Sequence, residues 1–394
     1  MAWLKYFCWL ASFGIMTVAQ AADEHINGWP AAPTLEAKSW ALIDAHSEQI
    51  IAQYHANEEL PPASLTKLMT LYLIFEDIKL GRLHKDERLS VSKKAWKIGG
   101  STMFLDPRMH PKVADLIHGI ATYSGNDACI VMAEHIAGSE SAFAERMNAK
   151  AKELGMTHSH FVNATGYPAD NHYSSALDMA RLAVALHRDF PEEYKVFAEK
   201  DFTYDGRRQP NRNRLLWTMK GADGLKTGHT QAAGYCLVGS AERQGTRFIS
   251  AVFGTKSNHE RANQSKILME YGFRNFVSMK PLERQVRRQI KVYGGTSNDV
   301  WLKPQRPLVV TVPKGLEQQL SFHLRYNAPQ RAPIQQGQNI GNMEAVLNDG
   351  KQPHILAQVP MQAVRSVEAA GWLGRQWDEV KLWWEQKQHD EVKP

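Results

Sequence analysis

Three short stretches of this chain carry residue types that can perform acyl transfer. The first is "PPASLTKLMTLYLIFE", Pro61 to Glu76, in which Lys67 follows Ser64 by three positions. Residues three apart on a helix share a face, so hydroxyl and amine fall within reach of each other. A serine hydroxyl is a weak nucleophile until a base takes its proton. A lysine serves as that base only where burial or a nearby cation lowers its pKa. S-x-x-K alone is common, and it equally fits a capped helix with a snorkelling lysine. The second stretch is "YSGNDAC", where Ser124, Gly125 and Asn126 stand directly before a helical pattern. Alone it reads as an N-cap with a glycine turn. The third is "DGLKTGHT", with Lys226, Thr227 and Gly228 on an expected strand. Glycine there permits close approach of another backbone. Each motif is weak alone, but their occurrence in this order, on helix, loop and strand, is not.

The surrounding patterns supply the elements that must position these residues. Apolar residues flank "DAHSEQ" within Ser39–Leu60, which predicts a β-hairpin. The Ser64 stretch predicts a helix with Pro before it and Gly81 after it. From Val113 to Leu186 the apolar spacing is mostly helical, and from Phe202 it shifts to short, Gly-punctuated strands. "RANQSKILMEYGFRNF" returns to a helix. Strands at both ends around a helical middle predict one antiparallel sheet with a helical lobe. Near Lys280–Pro281 the composition shifts again, to alternating apolar and polar residues with many Pro and Gly. That predicts a small all-β module over Leu282 to Val364. At the C-terminus, Trp372, Leu373, Trp377, Val380, Trp383 and Trp384 recur at three- and four-residue spacing. One Trp-rich face opposite a charged face fits an interfacial membrane anchor; docking on the β module or on a partner is the alternative.

Composition bounds the class. The chain has 394 residues, 43% of them hydrophobic, which is ample for a large core. A net charge of +6 is mild and spread along the chain. The clearest basic cluster, Arg284–Lys291, falls in an expected strand and lacks interleaved aromatics. Nucleic acid is therefore not an expected partner. The first residues combine Lys5, an apolar run and the small-residue pattern Ala19–Ala21. This predicts a cleaved secretory signal over 1–21, because the run is short for a membrane span. Cys8 would leave with it, and Cys129 and Cys236 sit in apolar contexts that suit buried free thiols, with a disulfide as the alternative. "HSH", His158–His160, is the only close His pair, and no H-E-x-x-H appears. No metal and no cofactor are expected.

The three motifs together resemble those of the penicillin-recognising serine acyltransferases. The flanks "IGGSTMFLDP", "TGYPADNHYSSALDMARLA", "NRNRLLW" and "YGFRNF" resemble the D-alanyl-D-alanine carboxypeptidases, the low-molecular-mass penicillin-binding proteins. This resemblance spans nearly the whole chain. It implies an α/β (α+β) class: a β-lactamase/transpeptidase-like catalytic domain over 22–281, a small β-rich domain over 282–365 and an amphipathic helix with a polar tail over 366–394. It implies that Ser64 attacks the carbonyl between two D-alanines of a peptidoglycan stem peptide while Lys67 takes its proton. Ser124 and Lys226 would form a hydrogen-bond and relay network with Lys67, and a second cation would help keep Lys67 neutral. Asn126 would hold the substrate amide. The N–H groups of Ser64 and His229 would form the oxyanion hole. Thr227 beside Gly228, with Arg261, would meet the terminal carboxylate, though Lys256 or Arg247 could take the place of Arg261. β-Lactams would acylate Ser64. The expected location is the periplasmic face of the cytoplasmic membrane. The polar tail "EQKQHDEVKP" departs from the family and leaves the depth of anchoring open. The same site could instead serve a D,D-endopeptidase. A class A β-lactamase would need a Glu between the second and third motifs, and "HFVNATGYPADNHYSSALD" has none.

Overall fold

The structure, a computed structural model, describes residues 28–391. The expected signal over 1–21 lies outside them. The first sheet has five strands in the order β2-β1-β7-β6-β5, antiparallel throughout. They are β1 (Ser39–Asp44), β2 (Ile50–Tyr54), β5 (Ala222–Thr230), β6 (Gly234–Arg243) and β7 (Thr246–Thr255). A separate hairpin joins β3 (Asp201–Tyr204) to β4 (Arg207–Pro210). The first strand thus pairs with the last, as the patterning from both chain ends predicts.

Strand pleat divides the core in two. Ala41, Ile43, Ile249, Ala251 and Phe253 face the helical lobe. Trp40, Leu42, Phe248 and Val252 pack on the opposite side against Leu268, Met269 and Tyr271. The lobe comprises α1 (Lys67–Lys79), α2 (Lys93–Lys97), α3 (Val113–Thr122), α4 (Asn126–Ala137), α5 (Glu140–Glu153) and α6 (Ala176–Asp189). Beyond it come α7 (Leu215–Thr218) and α8 (Asn258–Asn275), which supplies the opposite core. Every residue of α1 from Lys67 to Phe75 is buried. A helix buried on all sides is a core element, and the apolar run after Ser64 has that character.

The second domain pairs β8 (Phe276–Met279) with β11 (Val310–Pro313). Its larger sheet runs β12-β14-β15-β10-β9-β13. These strands are β9 (Arg288–Tyr293), β10 (Asp299–Pro304), β12 (Leu320–Arg325), β13 (Gln330–Arg331), β14 (Asn339–Asn348) and β15 (Pro353–Ala363). Two details differ from the sequence expectation. Strand pairing of this domain begins at Phe276, before Leu282. The basic stretch Arg284–Lys291 opens as a helical turn, α9 (Glu283–Val286), and becomes a strand only from Arg288. Gln285 accepts the Leu282 N–H through Oε1 at 2.7 Å, which closes that turn. The β1–β2 turn seats the two domains on one another: Ser47 bonds Thr311 at 2.7 Å, and Gln49 and Thr311 exchange two bonds of 2.6 and 3.2 Å.

The C-terminal helix α10 (Trp372–Glu391) does dock on the β domain, but not through its Trp face. Asp378 accepts the Gly294 N–H at 2.8 Å, Arg331 pairs with Glu379, and Leu382 is buried. Trp372, Leu373, Trp377, Val380, Trp383 and Trp384 remain 49–76% exposed. Among the described residues no helix is long and apolar enough to cross a membrane.

Candidate active site

The Ser64 turn is tighter than the expected helix start. Ala63–Thr66 forms a 3-10 turn, and the α-helix begins at Lys67. Ala63 enters it with φ +48°, a left-handed conformation that L-residues rarely adopt. Two glycines press on this turn. A Cβ on Gly166 would lie 1.9 Å from the Ala63 carbonyl oxygen, and one on Gly228 would lie 2.9 Å from that of Pro62. Only glycine at both places lets the 161–166 loop and β5 close on either side of Ser64.

Lys67 is wholly buried, whereas Ser64 is only partly so. The Lys67 Nζ reaches Ser64 Oγ at 2.9 Å, Asn126 Oδ1 at 2.8 Å and the Thr165 carbonyl at 2.5 Å. Burial, assisted by the charge of Arg212, pushes its pKa down to about 8. The orientation of the Asn126 amide follows from its Nδ2, which donates to Gly99 O at 2.8 Å. Two of the three Lys67 partners are therefore acceptors only. A neutral amine has two N–H donors and one lone pair. Its donors go to Thr165 and Asn126, and the lone pair is left facing the Ser64 hydroxyl. This is the arrangement of a general base.

Thr66, between the two, bonds His172 Nε2 at 2.8 Å. The His172 Nδ1 accepts the Val162 N–H at 3.1 Å, so the proton sits on Nε2 and is donated to Thr66. Burial pushes the His172 pKa down to about 4, which keeps the ring neutral. The ring thus fastens the loop that carries Thr165 to the Ser64 turn.

Ser124 lies in the loop before α4 with φ +70°, a second left-handed non-glycine residue at the site. Its hydroxyl is buried and has no partner among the described residues. Asn126 opens α4, and its N–H donates to Ser101 O at 2.7 Å. The neighbouring Asp127 is buried, and its carboxylate accepts the N–H groups of Met103 and Leu105 at 2.9 and 3.0 Å. This chain of bonds fixes the 99–105 loop beside Asn126.

Lys226, Thr227 and Gly228 lie buried on β5, with His229 exposed just beyond and its ring 4.0 Å from that of Tyr235. Burial, then the charges of Lys67, Arg212 and Arg261, hold the Lys226 pKa well below the usual lysine range. Its Nζ donates to Thr227 O at 3.1 Å. The expected network among Lys67, Ser124 and Lys226 is not formed by direct hydrogen bonds. Lys67 bonds Asn126 and Thr165, Lys226 bonds Thr227, and the Ser124 hydroxyl is left without a partner among the described residues. Burial is the main cause of the low Lys67 pKa, the charge of Arg212 lowers both lysines, and the charge of Lys67 further lowers that of Lys226.

Of the three candidate carboxylate-binding cations, Arg261 is the one beside the K-T-G strand. Its Nη1 donates to Gly228 O at 2.9 Å, and Asn258 holds its other edge. Burial brings its pKa to about 10. Lys256 instead pairs with Glu36, and Arg247 is taken by Asp223 and Glu242. Cys129 and Cys236 are buried free thiols. Among the described residues no cluster of His, Cys, Asp and Glu could hold a metal.

This arrangement of turn, loop and strand has known counterparts. Residues 27–257 match the family model described as D-alanyl-D-alanine carboxypeptidase, and residues 276–369 match that of the penicillin-binding protein 5 C-terminal domain. The chain belongs to the D-alanyl-D-alanine carboxypeptidase family. It is 40% identical over 373 residues to the D-alanyl-D-alanine carboxypeptidase DacC of Escherichia coli, covering 92% of this chain and 91% of that one. Its fold superimposes on penicillin-binding protein 5 of Haemophilus influenzae with TM-score 0.81 and 36% identity, over 86% of this chain and 99% of that one. Penicillin-binding protein D2 of Listeria monocytogenes, solved with ampicillin bound, matches 61% of this chain and all of its own at TM-score 0.57 and 32% identity.

Within this carboxypeptidase, three contributors escaped the motif reading. Arg212 stood inside the quoted "NRNRLLW" but among neighbouring arginines with nothing to single it out. Thr165 acts through its backbone carbonyl, which leaves no side-chain signature. His172 looked like any loop histidine, and only its placement against Thr66 reveals its part.

Proposed function

We propose that this carboxypeptidase hydrolyses the bond between the terminal D-alanines of a peptidoglycan stem peptide through an acyl-enzyme on Ser64. The observation that supports it best is the buried Lys67 amine, 2.9 Å from Ser64 Oγ and bonded to two carbonyl oxygens, which in its neutral form turns its lone pair to the Ser64 hydroxyl. As Ser64 Oγ bonds to the carbonyl carbon, its proton passes to Lys67. The oxyanion accepts the N–H groups of Ser64 and His229, where preorganised donors count most. Collapse breaks the C–N bond, and the proton leaves with the D-alanine amine. Water then attacks the ester, giving one proton to Lys67, and that proton returns to Ser64 Oγ as the tetrapeptide departs. The unpaired Ser124 hydroxyl and the Lys226 amine fit a relay once substrate bridges them. Asn126 holds a substrate amide, and Thr227 and Arg261 receive the terminal carboxylate.

Product analysis tests the reaction. D-Alanine should leave a monomeric pentapeptide faster than a cross-linked dimer is cut; the reverse order would make this an endopeptidase. A β-lactam is expected to label Ser64 with a long-lived ester, consistent with the ampicillin-bound relative. Rapid penicillin turnover would instead favour a β-lactamase.

The catalytic domain is assigned from 22 up to Phe276, where the strand pairing of the β domain begins, the β domain from there to 365 and the anchor to 366–394, at the periplasmic face of the cytoplasmic membrane after export. With its charged side engaged to the β domain, α10 presents the Trp face to a lipid surface. Seating one Trp side chain in the interface contributes about 2 kcal/mol, on the area it removes from water. Trp377→Ser with Trp384→Ser should therefore reduce flotation with anionic vesicles by ~100-fold or more. Unchanged flotation would remove the anchor from the account.

A further inference from the structure

Phe104 is an exposed aromatic in a conformation that aromatics avoid. It is 54% exposed, with φ +62°. The cause is on either side of it. Asp127 holds the N–H groups of Met103 and Leu105 with its two carboxylate oxygens, so the residue between them is forced outward. Strain of this kind persists only where the surroundings impose it, and it gathers at ligand-binding positions. The Arg207 guanidinium lies over the Phe104 ring, 4.7 Å from its centroid. Arg207 sits on β4, and the β3–β4 hairpin is tied to the same loop by Gln209, whose Nε2 donates to Thr102 O at 3.3 Å.

No carboxylate among the described residues pairs with Arg207. Asp201 is held by Arg208 and Asp106 by Arg108, and Asp205 in the adjoining turn is exposed and forms no ion pair with Arg207. A stacked guanidinium keeps its in-plane donors free, and those donors suit a carboxylate. The platform is one step from the reacting groups. Asn126 bonds Lys67 through Oδ1 and Gly99 through Nδ2, and its backbone holds Ser101.

We infer that Arg207, stacked on Phe104, forms an outer subsite for a free carboxylate on the stem peptide upstream of the D-Ala-D-Ala unit. This rests on the carboxypeptidase reading. With the terminal carboxylate at Thr227 and Arg261, the acyl part of the substrate leaves past Asn126 and meets the 99–105 loop. The subsite makes the enzyme prefer stems whose third residue carries a free acid over stems in which that group is amidated.

Two synthetic pentapeptides decide the matter, identical except for a carboxylate or a carboxamide on the third side chain. The native enzyme should show roughly tenfold higher kcat/KM for the acid, in the range of one charge-assisted bidentate contact. The preference should shrink as salt rises. Arg207→Gln should bring the ratio close to one, and Phe104→Ala should lower it. Arg208→Gln, which removes a guanidinium already held by Asp201, should leave it intact. An Arg207→Gln enzyme that keeps the native ratio overturns the subsite. So does a native enzyme that cleaves both peptides equally, which leaves the carboxypeptidase reading standing. Failure to release D-alanine from either peptide overturns that reading and the subsite together.

Discussion

Ser64→Ala should abolish D-alanine release, by ~10⁴-fold or more, as expected when a nucleophile that works as a unit with its base is removed. The protein should nevertheless fold. The only side-chain bond lost is the one to Lys67, and Lys67 keeps Asn126 and Thr165 as partners. Thr66 keeps His172, so the turn stays fastened to its loop. Thermal unfolding should move by no more than a few degrees. The variant should still bind penicillin reversibly, because the groups assigned to its carboxylate, Thr227 and Arg261, are untouched. D-Alanine assay, denaturation and a binding isotherm separate these effects. Residual turnover above a hundredth of the native rate would place the nucleophile elsewhere.

The acylation rate should rise with pH and reach half its plateau near pH 8. The sign follows from the role. A general base must be neutral, and the Lys67 amine is held neutral above about 8 by burial and by Arg212. Below that value the ammonium donates to Ser64, and the hydroxyl keeps its proton. Lys67→Arg should cost ~10³-fold at every pH, because a guanidinium does not give up its proton in this range. Arg212→Gln should shift the profile toward higher pH, since it removes the cation that opposes protonation of Lys67. Pre-steady-state acylation with a chromogenic cephalosporin, run from pH 6 to 10, reads both effects. A profile that is flat through pH 8 would remove Lys67 from the role of base, and one unmoved by Arg212→Gln would remove Arg212 from its part in lowering the Lys67 pKa.

Much of this was legible in the sequence, for a physical reason. The acyl-transfer groups are side chains, and their types and local structure are set by short stretches of chain. The β1–β2 hairpin, the buried helix after Ser64, the strand under Lys226 and the Trp-rich helix each follow from local periodicity. What stayed hidden depends on contacts between distant stretches. Gly166 and Gly228 close on the Ser64 turn from two separate segments, and nothing near Ser64 foretells a 3-10 turn there. Arg207, Arg208, Arg212 and Arg214 are equivalent as letters. Only the packed chain sets Arg212 against the two lysines, Arg208 on Asp201 and Arg207 on Phe104. Likewise the helical pattern of α10 fixes which residues share a face, but not that Asp378 and Glu379 would do the docking. The β-domain boundary slipped for a similar reason: Phe276–Met279 is short, and its partner strand begins only at Val310.

The central claim is that Ser64 becomes the acyl carrier, and peptide mapping by mass spectrometry after incubation with benzylpenicillin tests it most directly. One penicilloyl adduct should appear, on the peptide containing Ser64, and it should be absent from Ser64→Ala. An adduct on the Ser124 peptide, or none while penicillin is consumed, would contradict the account.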